Sequence, residues 1–187
     1  MAQDKVRSIT IGVSPFGFNS ANISLDSEDY TYHYKSYWNV NMGYERQLRG
    51  VIALTELSYS HAAFDEYDLN GHSEWFNEAQ TEGLTSVALT FYAGKTILPN
   101  RRLQIPLYIG AGAEYLKGGP LHNLAFDIAA KARVKFYVND NIAIFVGANG
   151  RYGFGSKSAS EESYSSKKKY SIGATNISFD AGISIGL

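Results

Sequence analysis

The sequence predicts an all-β fold in which eight antiparallel strands follow one another and close into an up-and-down barrel. Three observations lead to this prediction. Apolar residues recur at every second position over most of the chain, the 3.6-residue period of an amphipathic helix is nearly absent, and short and long connections alternate. Closure is expected because eight consecutive strands in an open sheet would leave two unpaired edges. All 187 residues, 1–187, are expected to form one domain.

Each predicted strand alternates apolar residues with small or polar ones. In the last strand, for example, Ile177 and Phe179 alternate with Ser178 and Asp180. Within residues 142–154, Phe145 is the one large apolar residue on the predicted polar face, and Ile52 and Leu54 blur the alternation at the start of the third strand. Such a period of two places one residue type on each face of a strand. The predicted strands cover residues 8–14, 34–45, 51–60, 85–94, 103–115, 126–138, 142–154 and 175–187.

The predicted connections fall into two groups. Short, turn-like connections cover residues 47–50, 98–102 and 139–141. The other connections cover residues 18–31, 62–81, 118–124 and 155–170, of which the third is the shortest. Because the two groups alternate along an up-and-down meander, all short turns are expected at one end of the barrel, together with both termini, and the long loops at the other.

Composition excludes several classes of function. The absence of cysteine removes disulfides, thiolate metal sites and cysteine nucleophiles, and a net charge of −1 does not fit an electrostatic nucleic-acid binder. No phosphate loop, zinc spacing or calcium loop is present, so neither a cofactor nor a metal is expected. The mean hydropathy is −0.22, and no apolar run approaches the roughly 18 residues of a membrane helix.

The alternating apolar face fits two kinds of barrel. In a soluble, lipocalin-like carrier it would point inward around a ligand, whereas in a transmembrane barrel it points outward to lipid and the interior is polar. The second arrangement is favoured because the polar face carries many glycines and both signs of charge, as expected in a narrow, filled lumen. The predicted lumen ion-pair network consists of Lys35, Glu45, Glu56, Glu114, Asp127, Lys131, Arg133, Lys135, Arg151 and Asp180.

Aromatic residues near the strand ends of the apolar face also favour a transmembrane barrel. Tyrosine and tryptophan are enriched where a membrane protein meets the lipid headgroups. The predicted aromatic girdle consists of Tyr34, Trp38, Tyr44, Tyr59, Tyr115, Tyr152 and Phe154.

With this pattern the chain resembles the small eight-stranded outer-membrane β-barrels of the OmpA and OmpX type, including the porin-like barrel domains of Bacteroidetes. The resemblance lies in architecture and alternation over nearly the whole chain. The C-terminal assembly signal of the family alternates apolar residues and ends in an aromatic residue. Phe179, Ile183 and Ile185 supply the alternation here, and Leu187 stands in place of the aromatic residue.

The resemblance implies a location in the outer membrane of a Gram-negative cell, with the termini and short turns in the periplasm and the long loops outside. The implied partners are outer-membrane lipid and lipopolysaccharide, the barrel-assembly machinery, and an extracellular protein or surface ligand at the loops; nucleic acid is not expected. Residues 1–4 lack the basic and apolar regions of a signal peptide. The protein is then either cytosolic, or Met1 is a start residue placed where a signal peptide was removed; the resemblance favours the second interpretation.

The leading functional hypothesis is a non-enzymatic outer-membrane protein with a packed polar lumen and a structural, surface-display or adhesion role. One alternative is a lipid-A-modifying enzyme with a histidine at the rim, and a second is the soluble carrier. His33, His61, His72 and His122 are predicted in or beside the long loops, with His61 and His122 as the candidates for the enzyme. The His-x-Ser pattern of the lipid-A deacylases is absent, and no catalytic residue is predicted.

Overall fold

The strands of the barrel are long and are joined by hydrogen-bonded ladders over most of their length. The computed structural model describes residues 6–25, 28–48, 51–69, 72–74, 83–97, 102–118, 121–159 and 168–187. Within these ranges the elements, in chain order, are β1 (Val6–Leu25), β2 (Glu28–Leu48), β3 (Val51–Leu69), β4 (His72–Glu74), β5 (Leu84–Thr96), β6 (Leu103–Gln104), β7 (Pro106–Gly118), β8 (Leu121–Tyr137), β9 (Ile142–Ala159) and β10 (Lys168–Gly186).

Eight of these strands form a closed antiparallel ring. Each long strand pairs with its neighbours in sequence, and β1 also pairs with β10, which closes the barrel. The short β6 pairs with β8 in line with β7, from which it is separated at Ile105, just before Pro106. This confirms the predicted fold class and all eight strands.

The strands are staggered, as expected for tilted strands in a barrel. A path that starts at Ile9 on β1 and passes from each residue to its partner on the next strand goes once around the ring. It returns to β1 at Ser20, far along the strand from Ile9, and this displacement is the stagger. A closed barrel requires such a stagger, and eight strands then leave an interior just wide enough for side chains to fill.

The connections define two ends of the barrel. The turn end holds the termini and the connections at 49–50, 97–102 and 138–141, and the loop end holds those at 26–27, 70–83, 119–120 and 160–167. Short and long connections lie at opposite ends of the barrel in the way the sequence predicted. The predicted loops at 18–31, 62–81 and 155–170 are, however, longer than the observed connections. The strands continue into these polar segments because backbone ladders, such as Leu25 with Glu28, need no apolar alternation.

Burial follows the alternation of the sequence, with the apolar side chains on the outside. Large apolar residues such as Phe91, Ile109, Phe126 and Val146 are more than half exposed, whereas charged residues occupy the interior. The described residues contain no helix long and apolar enough to cross a membrane.

One β-bulge changes which residues of β2 point inward. Lys35 is paired with Ala63 and Trp38 with His61, so two residues of β2 oppose one residue of β3, and Ser36 has a φ of 53°. An extra residue in one strand reverses the faces of the residues beyond it. The predicted faces of β2 therefore hold from Trp38 to the turn end and fail beyond the bulge.

Candidate functional site: the ion-paired lumen

The interior of the barrel contains nine of the ten residues predicted for the lumen network. All nine are less than a tenth exposed, and they come from six strands. They are Glu45, Glu56, Glu114, Asp127, Lys131, Arg133, Lys135, Arg151 and Asp180. Buried charges of this kind are tolerated only where each has an opposite charge or hydrogen-bond partners.

The centre of the network joins two basic residues of β8 to two acidic residues. The Lys131 ammonium donates to both carboxylate oxygens of Glu56, at 2.5 and 2.6 Å. Arg133 Nη2 donates to Glu56 Oε2 at 3.0 Å and to Asp180 Oδ2 at 2.7 Å, and its Nε donates to the same Asp180 oxygen at 3.1 Å. Arg133 therefore links β3 to β10 across the lumen.

The Arg133 guanidinium also stacks on an aromatic ring. Its central carbon lies 4.2 Å from the centre of the Phe145 ring, a cation–π contact inside the barrel. A Cβ added at Gly182 would lie 2.6 Å from the Cζ of Phe145, and one added at Gly12 would lie 3.2 Å from it. The two glycines leave the space that the ring occupies.

A second ion pair lies on the turn-end side of this centre. Lys135 donates to both carboxylate oxygens of Glu45 at 2.7 Å, and the Tyr108 hydroxyl donates to Glu45 Oε2 at 2.7 Å. The Glu45 carboxylate thus receives three hydrogen bonds from buried donors, which compensates for its removal from water.

A third group surrounds Arg151 on β9. Its Nε lies 3.0 Å from Asp127 Oδ2, and its Nη1 lies 3.6 Å from Glu114 Oε1. The guanidinium also donates to the Ser58 hydroxyl at 3.3 Å, and the Thr90 hydroxyl donates to Asp127 Oδ2 at 3.1 Å. Arg151 therefore binds the strands on both sides of the lumen.

Apolar and aromatic side chains fill the lumen on the loop-end side of the charges and pack between the charges toward the turn end. The loop-end cluster consists of Ala21, Tyr34, Tyr37, Ala62, Leu84, Leu116, Ala125, Ile172 and Ala174. The turn-end cluster consists of Ile52, Leu54, Tyr92, Tyr108 and Ala129. A cavity of about 20 Å³ between Arg151, Glu114 and Tyr37 has room for about one water molecule. The described side chains thus fill the interior rather than line a passage.

Lys35 does not belong to this network, which corrects the sequence prediction. Its ammonium pairs with Asp65 at 2.7 Å, and the two side chains are 59% and 45% exposed. The bulge at Ser36 is the physical reason, because it turns Lys35 outward. A single inserted residue leaves no recognisable mark in the alternation of apolar and polar residues. The bulge could therefore not be predicted from the sequence.

The same bulge moves Tyr34 away from the predicted aromatic girdle. Tyr34 is 7% exposed and packs edge-on against Phe64, with ring centres 6.2 Å apart. The alternation predicts an outward position for Tyr34. Instead, Tyr34 and Tyr37 both belong to the apolar cluster that closes the lumen at its loop end.

The other predicted girdle residues all face outward. Each has 42–46% of its surface exposed, and the set is Trp38, Tyr44, Tyr59, Tyr115, Tyr152 and Phe154. The rings of Trp38 and Tyr59 lie 5.4 Å apart on neighbouring strands. Most of these residues lie toward the loop end, with Tyr44 toward the turn end, so the aromatic band is uneven.

The four histidines belong to strands, and His72 and His122 lie within two residues of a loop-end connection. His33 is in β2, His61 in β3, His72 in β4 and His122 in β8. His61 Nδ1 lies 3.1 Å from the Thr85 hydroxyl, and its ring packs beside Trp38. The described part of the chain holds no group of three or more histidine, aspartate, glutamate or cysteine residues suited to a metal ion.

Comparison with known proteins identifies the fold. No family model and no curated protein matches the sequence. Among solved structures, the chain is similar to the outer membrane protein OprG of Pseudomonas aeruginosa, with a TM-score of 0.59, 9% identity and coverage of 98% of this chain and 94% of that one. Neisserial surface protein A gives a TM-score of 0.51 at 9% identity, and the outer membrane protease OmpT of Escherichia coli gives 0.50 at 8% identity. Both matches cover 97% of each chain.

The chain therefore has the fold of the small outer-membrane β-barrels, which confirms the predicted resemblance at the level of fold. The outward apolar belt and the charged interior make it an integral membrane barrel. The soluble carrier hypothesis is wrong, because it requires the apolar face to point inward.

Proposed function

We propose that the protein is a non-enzymatic outer-membrane anchor that displays its loop end to an extracellular protein or surface ligand. In this proposal the termini and the turn end face the periplasm. The surrounding partners are outer-membrane lipid and lipopolysaccharide, and the barrel-assembly machinery inserts the chain. A display role requires a rigid barrel, rather than a channel or a reaction site.

The observation that carries the proposal is the filled lumen. Arg133 and Arg151 each reach across the interior to a residue of β3, and apolar and aromatic side chains pack around them. A packed interior with paired charges resists deformation, and the described side chains leave little open space within it, so we expect the loop end to be the part of the barrel that meets a partner.

The difference between the two ends supports the direction of display. The longest connections, 70–83 and 160–167, both lie at the loop end, whereas the turn end has connections of two to six residues. Binding residues lie preferentially on long loops that a rigid scaffold positions.

An enzymatic role is the alternative, because a protease, OmpT, has a similar fold. Fold alone does not determine function, so the contacts of His61, one of the two candidate histidines, serve as support for the non-enzymatic proposal. His61 contacts a threonine hydroxyl and a tryptophan ring, whereas an activated nucleophile requires a base oriented by a third group. We expect lipid A incubated with the protein to keep its mass; a mass change abolished by His61→Ala or His122→Ala would overturn the non-enzymatic proposal.

Single-cysteine labelling tests directly whether the loop end faces outward, which the display role requires, since the sequence has no cysteine. Ser163→Cys places a thiol in the loop-end connection, and Asp140→Cys places one in an exposed turn-end connection. In intact cells, a membrane-impermeant maleimide is expected to label Ser163→Cys and not Asp140→Cys, while both react after the cells are opened. Labelling of Asp140→Cys alone in intact cells would overturn the orientation.

A further inference from the structure

A groove of about 620 Å³ lies on the outer wall of the barrel near the loop end. It crosses β8, β9, β10 and β1, and it is separate from the lumen network. Its outward-facing lining consists of Asn22, Leu124, Phe126, Tyr152, Phe154, Ser171 and Gly173.

The groove exists because Gly173 has no side chain. In the ladder, Gly173 lies between Asn22 of β1 and Phe154 of β9, so the outer wall lacks one side chain between two larger ones. Tyr152 and Phe154 stack beside the gap, with ring centres 6.4 Å apart. A Cβ at Gly173 would already lie 3.0 Å from the Tyr152 hydroxyl oxygen, so a larger side chain would fill the space.

The lining changes from apolar to polar along the barrel axis. Leu124 and Phe126 form an apolar wall and are more than 60% exposed. Asn22 and Ser171 add an amide and a hydroxyl, and both are exposed. Toward the turn end, Ile128 on β8 and Ile177 on β10 continue the outward apolar surface beyond the groove.

We propose that this groove binds one amphipathic membrane lipid, with an acyl chain along Phe126, Tyr152 and Phe154 and the polar headgroup at Asn22 and Ser171. A lipid is the occupant because the groove is continuous with the lipid-facing belt. Its volume lies within the range of roughly 300–1,000 Å³ that is usual for small-molecule sites.

Selectivity for a single lipid has to come from shape and from the polar end. Lipid tails are as apolar as the groove, so burying a chain there gains little over leaving it in the bilayer. The recess at Gly173, the flat faces of Tyr152 and Phe154, and the hydrogen-bonding groups of Asn22 and Ser171 distinguish this position from the rest of the belt.

Native mass spectrometry of the full-length protein, released from detergent micelles with dioleoylphosphatidylglycerol added in excess, tests the proposal. The wild type is expected to retain one lipid. Gly173→Leu fills the groove and is expected to weaken the affinity about tenfold, read from the lipid concentration that gives half-maximal occupancy in a titration. Gly150→Leu is the matched control, because Gly150 also faces outward, on the neighbouring strand β9 and outside the groove, and a Cβ there meets nothing within 4 Å.

Two further variants keep the test independent of how well Gly173→Leu folds. Phe154→Ala removes one wall and Asn22→Leu removes the amide, and each is expected to lower lipid retention while leaving Gly173 in place. Heat-dependent gel migration checks that every variant is folded. Equal retention by the wild type, Gly173→Leu and Phe154→Ala, or no one-to-one lipid complex with the wild type, would overturn the proposal.

Discussion

The guanidinium carbon of Arg133 lies 4.2 Å above the Phe145 ring in the middle of the lumen. Phe145 is the one large apolar residue that the alternation of β9 places on the polar face, and this contact explains its presence. The ring covers one side of a guanidinium whose edge binds Glu56 and Asp180. The space for it comes from Gly182, so residues of four strands together form the centre of the barrel.

Replacing Arg133 with alanine is expected to destabilise the barrel strongly. The change leaves Asp180 and part of Glu56 buried without their main partner, and breaking a buried pair in this way costs about 3–5 kcal/mol. The free energy of unfolding, measured by urea titration of the protein folded in detergent micelles, checks this expectation.

Lys35→Ala is the control for that measurement. It removes a pair that is largely exposed, and such pairs contribute less than about 1 kcal/mol. If Arg133→Ala and Lys35→Ala lowered the free energy of unfolding by similar small amounts, the Arg133 interactions would not stabilise the barrel.

Gly147→Ala is expected to disturb the ion pair between Arg133 and Asp180, because the added methyl group would crowd both side chains. An added Cβ would lie 2.6 Å from Asp180 Oδ1, 2.8 Å from Arg133 Cγ and 2.5 Å from the Ala132 carbonyl oxygen. Overpacking of this kind typically costs about 1–3 kcal/mol. Gly150→Ala, three residues further along β9 on the outer face, is expected to be neutral in the same urea titration; equal loss in both variants would indicate a general effect of glycine replacement in β9.

Most of the fold could be predicted from the sequence because alternation reports directly which face of a strand is apolar. Along Ile142, Ile144 and Val146 the alternation predicts a strand with one apolar face, and the structure places all three side chains outside. The alternation also predicted that Lys131, Arg133 and Lys135 face the lumen together, since they occupy alternate positions of one strand.

Pairing between distant strands could not be predicted in the same way. Arg133 meets Asp180, 47 residues away, because the stagger of the barrel brings β8 and β10 to one level, and alternation carries no information on stagger. The bulge at Ser36 was missed for a related reason, since one extra residue changes the faces of Lys35 and Tyr34 without interrupting the polar and aromatic composition of β2.

Phe145→Ala is expected to cost about 3–5 kcal/mol, the usual range for emptying the site of a buried phenylalanine. The loss has two sources, the cavity beside Gly182 and the missing contact with the Arg133 guanidinium. Phe179→Ala is the control, because Phe179 faces outward and is 53% exposed, so lipid or detergent replaces its contacts. A larger effect from Phe179 than from Phe145 in urea titration would contradict the assignment of inner and outer faces.

Trp38 and Tyr37 are neighbours in sequence that face lipid and lumen respectively, with 42% and 5% of their surfaces exposed. In a Trp75→Phe background, Trp38 is the sole tryptophan. Its fluorescence is expected to be strongly quenched in vesicles whose lipids carry bromine on their acyl chains, because quenching requires near contact between indole and bromine. Moving the tryptophan by one position, through Trp38→Phe together with Tyr37→Trp, is expected to remove most of that quenching, since the lumen is closed to lipid by the loop-end cluster. Equal quenching at both positions would show that the wall of β2 does not separate lipid from lumen at the bulge.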